Sequence, residues 1–302
     1  KMIDVLLEKD SIEKVTEILS RLIDIRESGI SSEHKKIIDD VIDRAGSEDK
    51  LRKLFIRDKN LDSVQAYMLL LNKNAIQSLL NILGELEDRK TRRYLCNILS
   101  VIGKQAVEAF AGGIHDKKWY LVRNTLMILG IIKDPAAIKY IEGTMTHPEL
   151  RVRKEAVKAL DSIGTEEIKG PFMIALRDSD AGIRTSALKT LRRFGDKRLF
   201  DIVKERILAG DLKERPFTEK KELFEALAET GRDMAFPMLS EFFKKKGLFR
   251  KTETEELRAC AAYGLGILGT REAIMLLEKG MREKEGLFSD VCKKSLTRTG
   301  VR

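Results

Sequence analysis

The sequence predicts an all-α fold built from stacked antiparallel helical hairpins, and three observations predict it. A segment of fixed pattern returns about every 31 residues. Within each copy the apolar positions follow a helical period, and no stretch shows sustained strand-like alternation with bounding turn pairs. A chain of 302 residues that is 43% hydrophobic has the material for a continuous core, which excludes a disordered tail or a small disulfide scaffold.

The repeat is clearest in VRKEAVKALDSIG (Val152 to Gly164) and IRTSALKTLRRFG (Ile183 to Gly195), offset by 31 residues. The same frame fits TRRYLCNILSVIG ending at Gly103, LVRNTLMILGIIK ending at Lys133 and LRACAAYGLGILG ending at Gly269, with weaker copies closing at Gly231 and Gly300. Closing positions therefore step by 30, 31, 31, 36, 38 and 31 residues, so two units are enlarged. In one copy Val152, Ala156, Ala159, Leu160 and Ile163 share a helix face while Arg153, Lys154, Lys158 and Asp161 lie on others. A second helical stretch precedes each copy, as in PAAIKYIEGTM from Pro135 to Met145, with proline suited to a first helical turn. A hairpin this short cannot bury its own apolar faces, so neighbours must stack, and the small Ala156, Ala187 and Ala261 permit close helix approach.

This pattern resembles the HEAT-repeat family, particularly short bacterial HEAT-like units of the kind found in phycobilin lyases: an apolar-Arg pair, a small residue three positions on, and a closing Leu-x-x-Ile/Phe-Gly, over residues 91–302. The resemblance implies an α-solenoid, an armadillo-type superhelix, whose second helices form a concave face used to bind proteins and sometimes nucleic acid. It implies no chemistry. Residues 1–90 are less regular. Val15, Ile18, Leu19, Leu22 and Ile23 form a helical stripe that ends at the Gly29–Ser32 turn, and helices are expected over 34–45, 48–57, 62–71 and 75–83. These are divergent units or a cap with the polar outer face a solenoid end needs. One domain, 1–302, is expected, with an alternative boundary near residue 60 and enlarged units near 205–256.

Motifs for chemistry are sparse. Gly264-Leu-Gly266-Ile-Leu-Gly269 matches the dinucleotide-binding string, but it closes a second helix instead of following a strand and opening one, so packing and helix termination are expected of it. His34, His115 and His147 have no neighbours at ligand spacing, and the sequence has no nucleophile elbow, HExxH or phosphate-loop motif. Glu166-Glu167 and Glu255-Glu256 fall in turns or helix starts, where acids suit the helix dipole. The expectation is no enzyme, no cofactor and no metal. Asp116, His147 and Asp178 occupy one turn position, spaced by 31; the family resemblance implies that an acid there caps the second helix or pairs with the repeat's arginine, Asp178 lying six residues before Arg184. Trp119 and Tyr120 suit turn packing, or alternatively an exposed anchor.

Charge is more informative. The net is +9, with 13 bases and 14 acids in residues 1–60 but 27 and 19 in residues 181–302. One column of the repeat holds Arg92, Val122, Arg153, Arg184, Lys220, Arg258 and Ser289, which the family resemblance implies is mostly an intramolecular ladder with turn acids; the next, freer column supplies Arg93, Arg123, Lys154 and Lys221. The candidate partner-binding face comprises Arg93, Arg123, Lys154, Lys158, Thr185, Lys189 and Lys221. The insertions, Gly210–Lys221 and Phe243–Glu256, are read as solvated loops or as recognition loops for an acidic partner or a phosphate, the second one carrying Lys244, Lys245, Lys246, Arg250 and Lys251.

The function expected is a non-catalytic scaffold for a protein partner, which includes a neighbouring domain if Lys1 marks an excised segment. The alternative is nucleic-acid binding through the basic C-terminal half. Bacterial alkylpurine DNA glycosylases resemble the architecture, although a single tryptophan cannot build their aromatic pocket. A bilin-lyase-like enzyme is a third reading, resting on repeat similarity alone. Mixed charges through the first 25 residues leave no signal peptide, and no apolar run approaches a membrane span. Cys96, Cys260 and Cys292, far apart and unpaired, suit a reducing, cytoplasmic setting.

Overall fold

The computed structural model describes residues 2–8, 11–57, 61–195, 198–245 and 251–298, leaving aside the side chains of residues 2, 8, 56, 57, 61, 105, 251 and 252. The described residues form nineteen α-helices joined by turns and short 3-10 segments, with no strand among them. They pack as two compact units, Lys1–Ile168 and Lys169–Arg302, each of them a solenoid of helical hairpins.

The first unit opens with α1 (Met2–Glu8), α2 (Ile12–Glu27), α3 (Ser32–Ala45), α4 (Glu48–Arg57), α5 (Leu61–Met68) and α6 (Ala75–Leu83). Val15 and Leu19 of the expected stripe are fully buried, and Ile18, Leu22 and Ile23 are half-buried. Gly29 turns the chain with φ +89°, and Ser31 then caps α3 by accepting from the His34 amide, its hydroxyl also lying 2.7 Å from His34 Nδ1. Regular repeats follow: α7 (Arg89–Ile102), α8 (Ala111–Ile114), α9 (Trp119–Ile132), α10 (Ile138–Glu142) and α11 (Leu150–Ile163), with α7 against α9 and α9 against α11. Val152, Ala156, Ala159, Leu160 and Ile163 are all buried, which confirms the register.

One first helix is shorter than the sequence suggests. Pro135–Met145 does not form one helix but a 3-10 turn, Pro135–Ala137, followed by the five residues of α10. Asp134 caps the turn by accepting from the Ala136 amide, and the Thr144 hydroxyl donates to the Ile141 carbonyl at 2.7 Å, a local bond that competes with continuing the helix.

The second unit contains α12 (Lys169–Ala175), α13 (Ala181–Arg193), α14 (Arg198–Leu208), α15 (Phe217–Gly231), α16 (Phe236–Lys244), α17 (Lys251–Leu268), α18 (Arg271–Met281) and α19 (Leu287–Arg298). Its second helices α13, α15, α17 and α19 pack side by side in that order. The glycine-rich string lies inside and at the end of α17. A Cβ on Gly264 would sit 2.7 Å from Leu239 Cδ2 and 3.0 Å from the Phe224 carbonyl, and one on Gly266 would meet Ser295, so both positions are packing contacts. Gly269 ends the helix at φ +59°, and the same repeat position holds Gly164 at +70°, Gly195 at +59° and, without a glycine, Lys133 at +59°.

Candidate functional site

The turn column works through the main chain. Asp116 and Asp178 accept, through Oδ1, the amide two residues on, and His147 Nδ1 does the same for Glu149. The helices that follow are capped by Glu149 and Asp180 instead. The expected link between turn and arginine exists, but to the carbonyl: Arg153 donates to His147 O at 2.9 Å and Arg184 to Asp178 O at 2.8 Å. A short aspartate satisfying its own turn leaves its carbonyl free to accept the guanidinium.

The first basic column is intramolecular, as expected, although its acids come mainly from the neighbouring unit's second helix. Arg184 binds Glu219 with Nε to Oε1 at 2.7 Å and Nη2 to Oε2 at 2.6 Å, Lys220 reaches Glu256 at 2.7 Å, and Arg258 bonds Phe243 O and Glu283. Hydrogen bonding to Glu219 raises the Arg184 pKa. Glu219 is 1% exposed and also takes Arg215 Nη1 at 2.6 Å, while Arg215 Nη2 donates to Asp211 at 2.8 Å. The Gly210–Lys221 insertion is therefore no solvated loop. It folds inward, burying Leu212, Arg215, Glu219 and Lys220.

The second column divides between the units. In the second unit its basic member Lys221 approaches Glu225 at 3.8 Å and lies 4.4 Å from the Tyr263 ring centroid, and Lys189 of the candidate face approaches Glu222 on α15 at 4.0 Å. Arg192 pairs with Glu222, Glu225 and Glu229, and Arg298 crosses α17 to reach Glu225 at 3.4 Å. An open groove of about 450 Å³ remains, floored by these glutamates. Burial pushes the Glu222 carboxyl up from its ordinary value against the pull of Arg192. Lys221, expected to be free, is thus partly committed to internal pairs.

In the first unit the column is more open. Arg93 and Lys154 are exposed, Lys158 is 72% exposed at its side chain, and both Arg123 and Lys158 lean toward the buried Glu155 at 3.4 and 3.8 Å. Together α7, α9 and α11 hold nine basic and two acidic residues. Tyr120 donates to Gly84 O at 3.0 Å as a packing residue, while half-exposed Trp119 carries Arg151 over its ring at 5.0 Å. Of the basic loop, Lys246 and Arg250 lie outside the described residues, as does the Lys251 side chain; Lys244 and Lys245 are exposed at the end of α16.

Sequence reasoning missed Glu155, Glu219, Glu222, Glu225, Arg192, Arg215 and Arg298. The available signal was opposite charges about one repeat step apart: Arg123 and Glu155, Arg184 and Glu219, Lys220 and Glu256. Among the described residues no three His, Cys, Asp or Glu side chains stand close enough to hold a metal ion, and no helix is long and apolar enough to cross a membrane. Burial pushes the thiols of Cys96 and Cys292 up to about 12, and that of Cys260 higher still.

Stacked hairpins with parallel second helices and mutually paired charges define a helical repeat scaffold. The family pattern described as HEAT repeats matches residues 76–160 and 141–216, just under half of the chain, in line with the resemblance carried by the repeat motif. Similar solved structures include Kap95p, in a complex where its binding induces the switch loops of RanGDP to adopt the GTP-bound conformation (TM-score 0.50, 9% identity, 94% of this chain and 45% of that one). A Kap121p mutant aligns with TM-score 0.48 at 12% identity over 98% of this chain and 37% of that one, and human deoxyhypusine hydroxylase with TM-score 0.31 at 16% identity over 76% and 97%. The chain thus spans less than half the length of the two karyopherins, and the likeness to Kap95p shows the solenoid fold alone. No curated protein sequence matches the chain significantly.

Proposed function

We propose that the chain is a non-catalytic HEAT-repeat scaffold that binds a protein partner through the second-helix face of its first unit, where Arg93, Arg123, Lys154 and Lys158 lie. The carrying observation is that α7, α9 and α11 hold nine bases and two acids, with Arg93, Lys154 and Lys158 exposed, whereas Arg184 and Arg192 of α13 meet the glutamates of α15. Excess positive charge on one face steers an acidic partner and favours the encounter. Kap95p, of like fold, binds RanGDP, so a solenoid of this kind accommodates a folded protein. In the second unit Lys189 and Lys221 lie beside Glu222 and Glu225 and contribute to binding only at the groove rim.

The test compares capture from native extract by the wild-type chain and by Arg93→Glu with Lys154→Glu, which leaves Arg123 on Glu155, after nuclease treatment. Loss of the captured protein with unchanged melting supports the reading, and unchanged capture overturns it. The same basic face favours nucleic acid as a second reading; it requires duplex DNA binding that survives physiological salt, because phosphate contacts alone weaken steeply with salt.

A further inference from the structure

Beyond Arg93 and Arg123, the remaining residues of α7 and α9, YLCNILSVI and NTLMILGII, contain no charge. Yet these halves are not wholly buried. Val101 is 60% exposed and Ile131 47% exposed, at equivalent repeat positions on helices packed against each other. Each lies eight residues after its basic residue, on the solvent-facing side, and half-exposed Met127 falls between Arg123 and Ile131. Eight residues of helix span about 12 Å. Two parallel rows therefore cross the repeats, a basic one at the helix starts and an apolar one about 12 Å away. On α11 the corresponding positions are Lys154, Lys158 and Ser162, so the basic row lengthens there and the apolar row ends.

Resting on the protein-binding reading above, we infer that this face docks an acidic amphipathic segment of the partner. Its apolar side chains cover Val101 and Ile131, and its carboxylates, on one side only, meet Arg93, Arg123 and Lys158. Charge complementarity sets the sign of the partner, and the apolar row sets its second requirement. A nucleic-acid backbone has no use for the charge-free row, and two apolar side chains are too little surface to hold a bilayer interface. Covering exposed aliphatic side chains supplies affinity, while the cations fix orientation and speed association.

The experiment selects a displayed library of random peptides on the immobilised full chain, then measures a fluorescent copy of the most enriched peptide by anisotropy. The expected result is enrichment of Asp and Glu together with Leu, Ile or Phe. Affinity should fall about tenfold in Val101→Ser with Ile131→Ser, and again about tenfold in Arg93→Gln with Lys158→Gln, which leaves Arg123 on Glu155, both variants melting like the wild type. Enrichment of neutral or basic peptides, no enrichment at all, or indifference to the Val101 and Ile131 changes overturns the inference. So does binding to phosphatidylserine vesicles that depends on those two residues. If the extract partner still depends on Arg93 and Lys154 while the peptides fail, the partner class is wrong and the scaffold reading survives. If neither depends on this face, both fall.

Discussion

Glu219 is the most informative single residue for stability. Its carboxylate accepts three charged hydrogen bonds, two from Arg184 at 2.7 and 2.6 Å and one from Arg215 at 2.6 Å, in a position that is 1% exposed. Glu219→Ala strips both guanidinium groups of that anion. Removing one partner of a buried pair costs roughly 3 to 5 kcal/mol, because the charge left behind stays desolvated. Here each arginine keeps another acceptor: Arg184 the carbonyls of Asp178 and Ser179, and Arg215 the carboxylate of Asp211. The lower end, about 3 kcal/mol, is expected, which corresponds to a drop of about 10 °C in Tm for a unit of this size. Chemical unfolding followed by the helical circular-dichroism signal measures it. As a companion, Arg184→Met, Arg215→Met and Glu219→Leu together should be close to neutral, since apolar side chains of similar volume carry no stranded charge. A loss below about 1 kcal/mol for Glu219→Ala alone would refute the buried network as described.

Lys133 occupies the left-handed position that glycine holds in sibling repeats, so Lys133→Gly should stabilise the chain by up to about 1 kcal/mol, the relieved strain exceeding the added unfolded-state freedom; destabilisation in a melting experiment would contradict the shared closing turn. With all three cysteines buried and their thiols pushed up, none should react with Ellman's reagent in the native chain at about pH 8, and all three should react on unfolding. The raised Glu222 carboxyl means the native state holds that proton more tightly than the unfolded state. Its contribution therefore grows as pH falls through the native pKa toward the ordinary carboxylate value, and Glu222→Gln should abolish that increment, as unfolding curves taken across weakly acidic pH would register.

The hairpin repeat, its register and its closing turns were legible because helical periodicity and a conserved turn geometry both act locally. The burial of Val152, Ala156 and Leu160 follows from spacing alone, and so does the left-handed turn at Gly164. The first helix expected over Pro135–Met145 was less legible, since a proline-led 3-10 turn and the Thr144 hydroxyl decide its length, not the apolar pattern. The charge reading located the excess in the C-terminal half by counting. Folding places Arg184 and Arg192 against Glu219, Glu222 and Glu229, so these cations are committed to internal pairs and the net excess rests on other side chains. Residues such as Arg215 look like loop cations in the sequence because nothing nearby reveals that a partner one helix away will bury them. Val101 and Ile131 escaped notice for the opposite reason: apolar positions near helix ends count as core until the neighbouring helix fails to cover them.

Lysine acetylation footprinting of the chain, alone and with its captured partner, tests most directly which face binds. The account predicts that Lys158 and Lys154 on α11 lose reactivity in the complex, while Lys139 on the first-helix segment α10 reacts as before. Protection of Lys139 with Lys154 and Lys158 unchanged would contradict it.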